Sequence, residues 1–151
     1  MQFVNKKPRA VGVLRGGDDY KDLRGAVRFY QMPGGVLIEA DIVGLPVNTS
    51  GFYGFHIHTG SSCGDDFAET GSHFARHTQR HPMHTGDLPP LLSCNGRAYM
   101  AVMTNRFSVR DVLGRTVVIH SAADDFRTQP AGNAGKMIAC GIIDPVSFIK
   151  N

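Results

Sequence analysis

The sequence predicts an all-β chain, an antiparallel sandwich or Greek-key barrel, and three observations lead there. Short runs with β-branched or aromatic residues recur along the chain, each bounded by Gly, Pro, Asn or Asp. The 18 Gly and 8 Pro among 151 residues supply the turns that such strands need. Apart from a short turn in Ser108–Leu113, no helical apolar period is interleaved between them.

Ala10–Gly16 (AVGVLRG) reads as a strand running into a turn at Gly16-Gly17 and two Asp. The chain then reverses. Gly25–Gln31 alternates Val27 and Phe29 with Arg28 and Tyr30, and beyond Pro33-Gly34-Gly35 the stretch Val36–Leu45 alternates again, which predicts a hairpin with one core face on each strand. Tyr53–His58 (YGFHIH) is the next strand, and Ala98–Thr104 (AYMAVMT) follows the turn signal Asn95-Gly96. Val117–His120 and Ile138–Ile143 complete the set. These strands arrive singly, separated by turns or long loops, as in antiparallel folds.

A chain of 151 residues suits one domain, taken as residues 1–151. Its formal charge of +3 is too small for a protein whose affinity rests on nucleic-acid phosphates. No apolar run approaches the ~18–20 residues that cross a bilayer, so a soluble protein without a membrane partner is expected. Met1–Ala10 has Lys6, Lys7 and Arg9 but no apolar segment behind them. The expectation is a cytoplasmic protein as encoded, or an extracellular or periplasmic one if a leader was removed. Three cysteines allow at most one internal disulfide and leave the compartment open.

Two long stretches, Thr59–Leu92 and Ser121–Lys136, do not read as strands, and long loops inside a compact domain are usually functional or disordered. Six of the seven histidines lie at or inside the borders of the first, and His120 opens the second. His56 and His58, two apart on a strand, project from one face and could share a metal, although an isolated His-x-His is as often a surface pair. His73, His81, His84 and Asp87 form a three-His, one-carboxylate set that a tetrahedral zinc accepts as a closed, structural site. Zinc binding there would also order the loop, because metal-binding free energy acts as folding free energy.

Gly54-Phe55-His56-Ile57-His58, Gly71-Ser72-His73-Phe74, His81-Pro82-Met83-His84-Thr85-Gly86-Asp87-Leu88 and Val118-Ile119-His120 with Asp124 follow one another along the chain. Gly132-Asn133-Ala134-Gly135 then leads to Ala139-Cys140-Gly141, and the whole is opened by Ala10-Val11-x-Val13-Leu14. In order from about Ala10 to Ile143, these motifs resemble copper/zinc superoxide dismutase. The resemblance implies an immunoglobulin-like Greek-key β-sandwich or barrel of about eight antiparallel strands with two long metal-site loops. It implies His56, His58, His73 and His120 around copper, and His73, His81, His84 and Asp87 around zinc, with His73 shared. Four nitrogen donors in a tetragonal arrangement suit Cu(II), which agrees with that assignment. Asp124 is expected to hydrogen-bond the outer edges of ligands on the His81 and His58 sides, fixing ring orientation and tautomer.

By the same resemblance, Cys63 and Cys140 form the disulfide that ties the metal-bearing loop to the last strand, a bond this family retains even in the cytoplasm. Cys94 is then a free thiol and His77 is left to solvent. The implied activity is superoxide dismutation: Cu(II) oxidises one superoxide to dioxygen, Cu(I) reduces the next to hydrogen peroxide, and His73 works as the proton switch. The family also allows a homodimer, which no apolar patch in this sequence selects.

The sequence departs from the family at one position. Three residues before the second disulfide cysteine the family carries an arginine that docks the anion beside copper; here that residue is Met137, with neither charge nor donor. Lys136 or Arg127 are the candidates for the missing cation, although neighbours on an extended segment point opposite ways. Weaker anion guidance is expected. The alternative function is a non-catalytic relative that stores or delivers copper, or holds zinc only. A cupin-type enzyme ranks low, since Thr59–Gly64 offers no Glu after the His pair. The tail Asp144–Asn151, with Phe148 and Ile149, packs on the barrel or at an interface.

Overall fold

The computed structural model describes residues 7–147. Seven strands form one antiparallel sheet. In chain order these are β1 (Ala10–Gly16), β2 (Arg24–Met32), β3 (Gly35–Val43), β5 (Phe55–His58), β7 (Ala98–Thr104), β8 (Thr116–His120) and β9 (Met137–Pro145). Their spatial order is β5-β8-β9-β1-β2-β3-β7, while β4 (Phe52–Tyr53) and β6 (Leu91–Leu92) pair separately as a small ribbon. The predicted all-β, antiparallel class is the one observed.

The β2–β3 hairpin closes at Met32↔Gly35 around Pro33-Gly34, with Gly34 at φ +80, the positive φ that the third residue of a type II turn requires. Alternation then sends Val27 and Phe29 from β2, and Val36, Ile38, Ala40 and Ile42 from β3, into the core. They meet Phe55 and Ile57 of β5, Val117 and Ile119 of β8 and Ile138 and Ile143 of β9. Ser108–Leu113 holds the one α-helical turn among the described residues, α1 (Val109–Val112); the Ser108 amide and hydroxyl both donate to Asp111 Oδ2 at 2.7 Å.

One expected strand divides. Tyr53–His58 splits at Gly54, where the chain leaves β6 as partner and joins β8. Gly54 N donates to Ala122 O and Gly54 O accepts from His120 N, both at 2.8 Å, and a Cβ at this position would lie 2.7 Å from Ala134 Cβ. The crossing therefore needs a residue without a side chain. This split, together with the two-residue β6 inside the expected first loop, gives nine strands among the described residues where about eight were expected. Asp144 and Pro145 belong to β9, whereas the expected packing of Phe148 and Ile149 lies outside the described residues.

Candidate metal centre

β5 delivers His56 and His58, and β8 ends in His120, whose amide is tied to Gly54. The open edge of β5 is covered by two pieces of the first loop. Phe74 N donates to Ile57 O at 2.7 Å, Ile57 N to Gly86 O at 2.9 Å, and Gly86 N to Phe74 O at 2.7 Å. Isolated bridges His58↔His73 and His56↔Asp87 set the loop residues beside the strand histidines. Gly86 permits this contact, since a Cβ there would stand 2.3 Å from Ile57 O.

The result is two buried clusters, His56, His58, His73 and His120 in one and His73, His81, His84 and Asp87 in the other, each with its donor atoms within 4.8 Å of one another. His73 belongs to both. The outer edge of each strand-borne ring is engaged: His56 Nε2 lies 2.7 Å from Asp124 Oδ2, His58 Nδ1 2.9 Å from Gly71 O and His120 Nδ1 3.3 Å from Gly135 O. His81 Nε2 lies 2.8 Å from Asp124 Oδ1. Carbonyls and an ionised carboxylate only accept, so these outer nitrogens carry the protons and the inner ones present lone pairs. His58 Nε2 and His120 Nε2 face each other at 3.3 Å.

The inner nitrogens provide the test of fit. His56 Nδ1, His73 Nε2, His81 Nδ1 and His84 Nδ1 are buried without a hydrogen-bond partner. His81 Nδ1 and His84 Nδ1 do approach Asp87 Oδ2, at 3.0 and 3.2 Å, but without hydrogen-bond alignment. Buried polar atoms left unpaired cost free energy, and several converging lone pairs are what a cation satisfies. The three-imidazole, one-carboxylate cluster fits zinc, and the four-imidazole cluster fits copper.

Electrostatics keep the donors in their metal-binding forms. Burial, reinforced by neighbouring imidazoles, pushes His58 and His120 down to about 3, and burial also lowers His56. Burial acts to raise Asp124, but hydrogen bonds from His56, the Phe126 amide and His81 outweigh it and hold the carboxyl at about 2. Asp87 is likewise lowered: against burial, the hydrogen bond and charge of His73 prevail.

Asp124 therefore joins His56 to His81, a correction to the expected His58-side contact, because the outer nitrogen of His58 is turned to Gly71 O. Gly132, at φ +71, makes room for this bridge: a Cβ would fall 2.1 Å from Asp124 Oδ1 and 2.6 Å from His81 Nε2. Cys63 and Cys140 are disulfide-bonded, Cys94 is a free exposed cysteine and His77 is exposed.

A cavity of about 620 Å³ opens over the first cluster, with His58, His73 and His120 in its lining beside the apolar Pro130, Ala131 and Met137. Lys136 borders it, yet its Nζ is 3.9 Å from Asp19 Oδ2 and 5.1 Å from the Tyr20 ring centroid. Arg127 is exposed and is not among the lining residues, so the structure does not bring that candidate cation to the cavity. Two residues absent from the sequence reading also serve the site. Thr70 contacts His58, and Arg106 Nη1 donates to the carbonyls of Pro82, His84 and Asp87 at 2.9, 3.2 and 3.2 Å. Neither carries a spacing signal, since both act through contacts distant in sequence.

The family model described as copper/zinc superoxide dismutase (SODC) matches residues 23–143. The chain belongs to the copper/zinc superoxide dismutase family. It is 35% identical over 127 residues to a Cu-Zn superoxide dismutase of Legionella pneumophila, covering 79% of this chain and 76% of that one. Against the Caulobacter vibrioides protein of the same name, identity is 33% over 154 residues, covering 89% of this chain and 84% of the relative. The Xenopus laevis Cu-Zn superoxide dismutase A is 34% identical, with 89% of this chain and 96% of the relative covered. This membership agrees with the two histidine clusters that could hold metal ions and with the curled antiparallel sheet.

Proposed function

We propose that the protein dismutates superoxide, two superoxide anions and two protons giving dioxygen and hydrogen peroxide. In this reading His56, His58, His73 and His120 hold copper and His73, His81, His84 and Asp87 hold zinc. The observation that carries it is His73, the one ring shared by both clusters. Its Nδ1 lies 2.8 Å from Asp87 Oδ1, while Nε2 is buried and unpartnered. Copper bound there supplies a one-electron couple that oxidises one superoxide and reduces the next.

The chain's own residues do the rest. His73 takes a proton at Nε2 while Nδ1 stays on the Asp87 side, so one ring serves as both wall and proton carrier. Asp124 holds His56 and His81 in fixed tautomers. Pro130, Ala131 and Met137 give the mouth an apolar lining, and Lys136, drawn toward Asp19, is its bordering cation. Guidance of the anion is accordingly weaker than an arginine at position 137 would give. A disulfide is most usual in an oxidising compartment, although this family retains its own in the cytoplasm as well, and no described helix is long and apolar enough to cross a membrane.

The test is to load the purified protein, confirm copper and zinc per chain by elemental analysis, and follow superoxide decay. Removal well above the spontaneous rate, lost when copper alone is withdrawn, is expected. A fully metallated protein that leaves the spontaneous rate unchanged would exclude dismutation in favour of metal storage or delivery.

A further inference from the structure

Behind His58 and Met137, two of the residues that line the cavity over the first cluster, lies a hydroxyl that the dismutase reading leaves without a role. Thr70 closes the 3-10 turn Ala68–Thr70 and is fully buried. Its Oγ1 has three polar neighbours: Phe67 O at 2.8 Å, Met137 Sδ at 3.1 Å and His58 Nδ1 at 3.3 Å. A hydroxyl has one proton to give and two lone pairs to accept with.

The donors and acceptors can be assigned one by one. His58 Nδ1 carries its proton, because Gly71 O at 2.9 Å can only accept; the Thr70 oxygen shares that N–H as a second acceptor. Phe67 O has a lone pair for the Thr70 amide at 3.1 Å and another for the hydroxyl at 2.8 Å, and the hydroxyl proton is shared between that carbonyl and the thioether at 3.1 Å. A chain then runs from the imidazole N–H to the hydroxyl and on to the sulfur. Each link polarises the next, so a hydroxyl that donates accepts more strongly. Met137 is held for this part: it faces His120 across the β8–β9 ladder and packs against the cluster of Phe67, Val118 and Cys140.

We propose that Thr70 is a positioning residue for His58, with Phe67 O and the Met137 thioether together fixing the direction of its hydroxyl, and that Thr70 and Met137 set how strongly His58 Nε2 donates to copper. The proposal rests on the copper assignment made above. A partner on the outer nitrogen fixes ring orientation and raises the basicity of the inner one, which favours Cu(II) over Cu(I). Residue 137 thus acts on the metal at one remove, by way of an uncharged chain.

The experiment compares copper-and-zinc-loaded wild type with Thr70→Val, Thr70→Ser, Met137→Leu and the Thr70→Val/Met137→Leu double variant. The readouts are Cu(II) affinity by chelator competition, reduction potential, and the copper hyperfine splitting in electron paramagnetic resonance. Thr70→Val keeps shape and loses the hydroxyl. Its Cu(II) affinity should fall about tenfold, the low end for loss of an outer partner because Gly71 O remains. With Cu(I) affinity unchanged, that tenfold loss raises the potential by about 59 mV. Thr70→Ser should restore the wild-type values. Met137→Leu should shift the potential less, and should add nothing in the Thr70→Val background.

Copper-loaded Thr70→Val with the wild-type potential and hyperfine splitting would overturn the proposal. So would a Met137→Leu shift of equal size in both backgrounds, which would mean that Met137 acts without Thr70. Circular dichroism and unfolding of the zinc-loaded variants control for misfolding, with Thr70→Ser as the rescue. Absence of any copper signal from these histidines in wild type would overturn the site assignment as well, whereas the other two outcomes leave it standing.

Discussion

Asp124 Oδ2 lies 2.7 Å from His56 Nε2, on the ring edge opposite the unpartnered Nδ1. The other carboxylate oxygen reaches His81 Nε2 at 2.8 Å, so one side chain orients a histidine in each of the two clusters. Asp124→Asn keeps the shape but replaces one acceptor oxygen with an amide donor, which leaves one imidazole N–H facing another donor. Affinity for at least one metal should fall about 10- to 100-fold. Chelator competition for zinc and copper measures it, and unchanged affinity for both would contradict the bridging role.

Arg106 binds the other face of the zinc loop through three carbonyl contacts from one nitrogen. Hydrogen bonds to a charged donor contribute more than neutral ones, so Arg106→Ala should cost about 2 kcal/mol of stability. Zinc should also leave faster, and Arg106→Lys should recover part of the loss. Urea unfolding and zinc release to a chromogenic chelator report the two effects separately. A variant as stable as wild type, with the same release rate, would remove the loop-clasp interpretation.

Met137→Arg places a guanidinium at the apolar mouth. The rate of superoxide removal should rise at low salt, and the gain should shrink at moderate salt as ions screen the new charge. No gain at low ionic strength would show that a cation at residue 137 does not limit capture of the anion.

Acid should unfold the metal-free protein early. His58 and His120 titrate near 3 in the fold, against an ordinary value of 6.5, because burial penalises their charged forms. The unfolded chain therefore binds more protons between pH 6.5 and 3, and stability falls as pH falls through that window. Asp124, held at about 2 against 3.8, adds a loss of the same sign below about pH 4. Denaturation midpoints of the apo protein across this range give the slope. A midpoint flat from about pH 6.5 to 4 would mean that these histidines become charged without unfolding the site.

Cys63 and Cys140 close a loop of 77 residues. In the chain-entropy account such a cross-link contributes on the order of 4 kcal/mol by restricting the unfolded chain. Replacing both cysteines with serine should lower metal-free stability by that order, measured by denaturant unfolding. A loss below about 1 kcal/mol would place the main restraint elsewhere.

Most strands were legible because alternation and turn residues are local. Ala10–Gly16 and Ala98–Thr104 have the predicted bounds, and the Pro33-Gly34 hairpin forms as expected. The crossing at Gly54 was not legible, since it depends on Ala134 and His120, far along the chain. The two histidine clusters combined a weak local signal with motifs matched in order along the sequence. The outer partners were harder to read. Gly71 O and Gly135 O are backbone carbonyls, a group every residue carries and no side-chain motif marks, and the Asp124 contact to His56 rather than His58 turns on ring orientation. Thr70 and Arg106 act at distances of 67 and 19 to 24 residues, on Met137 and on the zinc loop respectively, where periodicity says nothing.

Strands furnish His56, His58 and His120, whereas His81, His84 and Asp87 come from irregular chain leaning on the edge of β5. The two halves therefore differ in evolvability. Substitutions along the irregular segment can retune or abolish retention of one ion and leave the framework of the other standing, while changes to β5 or β8 disturb both ions and the core together. Lineages that drift in metal usage should accordingly vary first between residues 75 and 85, not along the barrel.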